Sequence, residues 1–105
     1  MRESVPLGTI IATRELEFVC EGGERETVVV SIGVPVVGED AETWYCPYRV
    51  KGMSFEKQRH TVGIDSVQAL DLALGVIGSE LIYISRHRKG VFQFLGEPGH
   101  AFRLV

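Results

Sequence analysis

From residue 67 to residue 84 large apolar residues recur three and four apart, at Val67, Leu70, Leu74, Ile77, Leu81 and Ile84. That spacing is the signature of an amphipathic α-helix with one apolar stripe. Both ends of the helix are marked. Asp65 stands where an N-cap belongs, and Gln68 three residues on completes a capping box. Arg86, His87, Arg88 and Lys89 gather at the carboxyl end, where cations complement the helix dipole. A helix with one apolar side must lie against something, and Leu74, midway along the stripe, is expected to anchor it.

The remainder of the chain offers strands. Ile10, Ala12, Leu16, Phe18 and Cys20 share one parity against Thr13, Glu15 and Glu17, with Arg14 as the misfit. Val28, Val30, Ile32 and Val34 repeat the alternation after a Gly22-Gly23 turn, so residues 10–34 read as a hairpin. An even loop would split the apolar rows between two faces. An odd loop over residues 22–24 brings Phe18 opposite Val28 and Leu16 opposite Val30 on one apolar face. Trp44, Cys46, Tyr48 and Val50 then alternate with Tyr45, Pro47, Arg49 and Lys51. Pro47 donates no ladder hydrogen bond, which predicts an edge strand or a bulge. Residues 57–64 and 91–95 complete the set, with a short tail strand expected around residues 101–104. The expected fold is α+β: one domain over residues 1–105, a four- to five-stranded antiparallel sheet with one long amphipathic helix packed on one face.

Bulk properties narrow the function classes. With 45% hydrophobic and 24% charged residues in 105, the chain has the composition of one ordinary globular core. Its net charge of −3 repels polyanions, so nucleic acid is not an expected partner. The apolar segment at 67–84 is interrupted by Asp71, Ser79 and Glu80, so no membrane span is expected. The first residues lack the basic start and apolar stretch of a secretory signal, which points to a cytoplasmic protein. In that compartment Cys20 and Cys46 are expected to be reduced thiols.

Chemistry-bearing residues are scattered. Cys20, Cys46, His60, His87 and His100 show no metal-ligand spacing, and no metal is expected. No glycine-rich phosphate loop is present and no cofactor is expected. Asp65 fills the helix N-terminus, where a bound anion would otherwise sit. The weak catalytic candidates are Cys46 and His60, a nucleophile and base that could meet across neighbouring strands. Cys46, however, belongs to the apolar parity, where a thiol packs as a small hydrophobe. The basic run 86–89 reads as a solvated helix end. Tyr45, Arg49 and Lys51, on the second face of their strand, have the composition of a possible partner surface.

The run Gly63-Ile64-Asp65-Ser66-Val67-Gln68-Ala69-Leu70-Asp71-Leu72-Ala73-Leu74, with Ile77-Gly78 after it and Trp44-Tyr45-Cys46-Pro47-Tyr48 before it, resembles a group of short uncharacterised bacterial proteins carrying a domain of unknown function. The resemblance covers roughly the last two thirds of the chain. It implies a small bacterial cytoplasmic protein and brings no catalytic residues with it. One helix covers only one sheet face. The leading functional expectation is therefore a non-catalytic interaction module, self-associating as a homo-oligomer or binding another protein. A small Cys/His-dependent hydrolase or transferase and a carrier of a small apolar ligand are the alternatives.

Overall fold

A computed structural model describes residues 5–102. The elements run β1 (Ile10–Cys20), β2 (Arg25–Gly33), β3 (Val36–Val37), β4 (Trp44–Lys51), β5 (Glu56–Gly63), α1 (Ser66–His87), β6 (Gly90–Phe94) and β7 (Glu97–Pro98). They form one open antiparallel sheet of seven strands with a single helix on one face. The architecture is α+β as expected, with more strands than the sequence suggested. β3 and β7 are the additions, each of two residues. Two residues are too few to show an alternation.

The β1–β2 hairpin closes through an odd loop, residues 21–23, held by bonds from the Cys20 amide to the Glu24 carbonyl and from the Gly23 amide to the Cys20 carbonyl. Gly23 takes the positive φ of 92° that this closure requires. The loop begins one residue earlier than expected, so Leu16 lies opposite Val28 and Phe18 opposite Glu26. The faces are preserved, because a shift of two residues keeps the parity. Phe18 and Val28 remain diagonal neighbours on the helix-facing side.

Pro47 predicted an edge strand or a bulge; β4 is internal, with β5 along one side and β2 and β3 end to end along the other. The proline is tolerated because of where its missing N–H points. The Gly52 amide bonds to the Phe55 carbonyl at the β4–β5 turn, and counting back by twos makes Val50–Lys57, Tyr48–Arg59 and Cys46–Thr61 the hydrogen-bonded pairs. Pro47 therefore directs its nitrogen away from β5, toward the gap where the β2 ladder has ended at Tyr48 and the β3 ladder has not begun.

α1 lies over β4 and β5 and reaches β6 at its end. Asp65 is its N-cap as read, the carboxylate accepting from the Gln68 amide at 2.8 Å. The Gln68 side chain, however, closes the box one residue earlier than a capping box would, accepting from the Ile64 amide at 2.7 Å. Its buried row differs from the expected stripe. Ala69, Ala73, Ile77, Leu81 and Ile84 form the row buried in the core against the sheet. Leu70 and Leu74 flank the core half-buried, and Val67 is 72% exposed. Small residues occupy the first half of the contact, where Ala69 lies directly against Gly63 and its carbonyl accepts from the Thr61 hydroxyl, so the helix start approaches β5 closely. By length and composition alone α1 could cross a membrane, but its buried row rests on the sheet.

The second sheet face is partly covered. Residues 5–9 run across it: Val5 is buried, the Thr9 carbonyl accepts from the Val34 amide at 2.8 Å, and the Leu7 carbonyl lies against Gly33, where any Cβ would collide with it. Ser31, Gly33, Tyr45 and Pro47 are buried on this side. The tail strand expected at 101–104 does not form over Ala101 and Phe102; residues 103 and 104 lie outside the described range.

Candidate functional site

The two catalytic candidates fall on opposite faces of the sheet. Cys46 pairs with Thr61 and faces α1, whereas His60 pairs with Pro47 and faces the other way, its ring edge-on to Tyr45 at 5.4 Å. One residue of strand separates their parities, and the sheet stands between the thiol and the imidazole. Cys46 is fully buried, and its Sγ donates to the Gly33 carbonyl at 3.7 Å. Burial pushes its pKa up to about 11, so at neutral pH the thiol form is held. Cys46 is expected to label slowly with a thiol reagent in native buffer and quickly in denaturant, while half-buried Cys20 labels first. Rapid native labelling of Cys46 would show that the core opens there.

The partner-surface candidates share the second face as expected, but differ in access. Tyr45 is buried, Arg49 is half-buried with its Nε lacking a hydrogen-bond partner among the described residues, and Lys51 is exposed, 3.9 Å from Glu56. The basic run is more engaged than a solvated end. His87 stacks on Tyr83 at 4.0 Å, and Arg88 lies over the Phe55 ring at 4.8 Å with Nη1 3.3 Å from the Ser54 hydroxyl.

A depression of about 690 Å³ wraps the edge of β5 and is lined by Val5, Tyr48, Gln58, Arg59, His60, Val76 and Glu80. Its charged centre was not anticipated. Glu80, with a side chain 16% exposed, accepts from Arg59 Nε at 3.1 Å and lies 3.9 Å from Lys57 Nζ, which itself sits over the Tyr83 ring. Tyr48 beside it is pushed up to about 12, by burial first and then by the Glu80 charge, against an opposing effect of Arg59. A carboxylate balanced by two cations ties α1 to β5. The signal in the sequence was Glu80 interrupting an otherwise apolar run. Among the described residues no three of His, Cys, Asp and Glu converge as a metal site would need.

The family model described as Domain of unknown function (DUF6968) matches residues 12–104. The chain belongs to this family. Comparison with curated proteins and with solved structures returns no match. The DUF6968 match takes in α1, the β5 edge with its Glu80 clamp, and both Cys46 and His60. It begins after residues 5–9, so the segment laid over the second sheet face precedes the matched DUF6968 region.

Proposed function

We propose that the protein is a non-catalytic association module of a bacterial cytoplasm that pairs with a second copy of itself through the outer edge of β5. The observation carrying this reading is the edge itself. Among the described residues β5 pairs only with β4, and the alternation of its ladder turns the N–H and C=O groups of Glu56, Gln58, His60 and Val62 outward. Backbone groups in such a row are a template for another strand. Exposed apolar residues extend the surface past the strand: Val62 at 49%, Ile64 at 79% and Val67 at 72%. Apolar side chains left outside a core gain free energy when a partner removes them from water.

The test is sedimentation equilibrium of the wild type and of Val62→Pro. The Val62 nitrogen points outward, so proline there removes an edge donor without touching the β4 ladder. A wild-type dimer and a Val62→Pro monomer of unchanged circular dichroism are expected. A wild type that remains monomeric up to millimolar concentration, or a variant that dimerises as well, would remove the β5 edge as the self-association surface.

A further inference from the structure

Arg14 broke the alternation of β1, yet it lies on the helix-facing side opposite Val30. Its guanidinium is sandwiched between two rings, 4.6 Å from the centre of Phe94 and 4.5 Å from that of Phe102. Nη1 donates to the Ala101 carbonyl at 2.7 Å. The misfit residue is thus the anchor of residues 99–102, which return across the end of the core after the β6–β7 turn. Gly99 donates to the Phe92 carbonyl at 2.8 Å, and Phe102 packs against the core, sharing a cleft with Ala12, Val30, Ile32 and Leu74. Ala101 sits at a φ of 63°, a left-handed conformation that costs a non-glycine residue free energy. The segment is therefore held by its contacts against a local backbone preference.

The contact that closes it is titratable. His100 Nδ1 accepts from the Phe102 amide at 2.9 Å, which requires an unprotonated Nδ1. The charged groups facing His100 are Arg14 from β1 and Arg86 from α1; β6 contributes Val91 and Phe92 to the same cleft, and no carboxylate lines it among the described residues. A second proton on this ring would remove the acceptor and set a third cation beside two arginines.

We propose that residues 99–102 form a pH-released strap: with His100 neutral it is closed over the cleft between α1 and β1, and protonation of His100 lets Phe102 leave. Burial first, and the Arg14 charge second, lower the pKa of His100 in the closed state from its ordinary 6.5. In the open state the ring binds its proton more readily. Closure is therefore fully favoured above the ordinary value, weakens as pH falls below it, and stops weakening beneath the lowered value. Release exposes Leu74 and Ile32 at one end of the core and leaves the sheet intact.

Amide exchange and methyl shifts followed by NMR across this pH range test the strap in the whole chain. On acidification the Phe102 amide is expected to lose protection, and the Leu74 and Ile32 methyl resonances to move, along the titration curve of the His100 ring. His100→Asn keeps an acceptor near the Nδ1 position without a titrating proton, so its Phe102 amide should stay protected throughout. Arg14→Ala should leave the strap open at every pH, with the rest of the spectrum folded. Wild-type Phe102 and Leu74 signals that stay still while His100 titrates, or a His100→Asn variant that opens as the wild type does, would overturn the proposal.

Discussion

Leu81→Ala is expected to destabilise the domain by about 2–5 kcal/mol, from the lost transfer of a leucine side chain and the cavity left behind. Leu81 is fully buried on the row of α1 that meets the sheet, in one cluster with Phe18, Phe92, Ile77 and Ile84. Its neighbours are ring and branched side chains on secondary structure, which cannot collapse into the gap cheaply. Val67→Ala is the contrast. Val67 is 72% exposed and in the first turn, so its truncation should fall within about 0.5 kcal/mol. Urea melts of the two variants decide which side of α1 faces the core. Equal losses would mean that the helix is rotated from the orientation described.

The second large effect is expected at Gly63. A Cβ there would stand 2.5 Å from the Ala69 nitrogen, 3.0 Å from its Cα and 3.1 Å from the Asp65 carbonyl oxygen. All three are backbone atoms of the cap and first turns of α1. They move only if the helix start moves. Gly63→Ala should therefore cost about 1–3 kcal/mol or more through overpacking, and it should also strain the Thr61 hydroxyl bond to the Ala69 carbonyl, 2.6 Å long. Gly22→Ala supplies the control, since the added methyl meets only the carboxylate end of Glu24, which can swing into water. Thermal melts should separate the two clearly. A neutral Gly63→Ala would show that α1 stands further from β5 than described.

Much of this fold was legible because periodicity survives local error. The α1 cap was readable from Asp65 and Gln68, and the faces of β1, β2 and β4 from their alternation. The contact row of α1 was misjudged for a physical reason. Val67, Leu70 and Leu74 are the larger hydrophobes, but the start of α1 lies so close to Gly63 and Thr61 of β5 that it presents small residues there, here Ala69 and Ala73. Hairpin parity followed from matching apolar rows, while the register depended on whether Glu21 or Glu24 entered the loop, and parity is blind to a slip of two. Cys46 and His60 are on adjacent strands as expected. Whether they could meet turned on a pairing one residue in either direction, which no feature of either strand specifies. The Glu80 clamp and the Arg14 sandwich each announced themselves as a charge in an apolar pattern, without naming the partner that explains it.

The adjacency of Cys46 and Pro47 has a consequence for how the thiol is understood. On β2, Gly33 follows Ile32, whose partner is Tyr48, so the next residue across is Pro47, which has no amide proton to give. The Gly33 carbonyl receives instead the hydrogen of the Cys46 thiol. A side chain thus substitutes for the missing backbone donor one residue away. The two positions act as a unit, in which cysteine is suited to residue 46 by carrying a small, weakly polar hydrogen into a dry interior rather than by its power as a nucleophile.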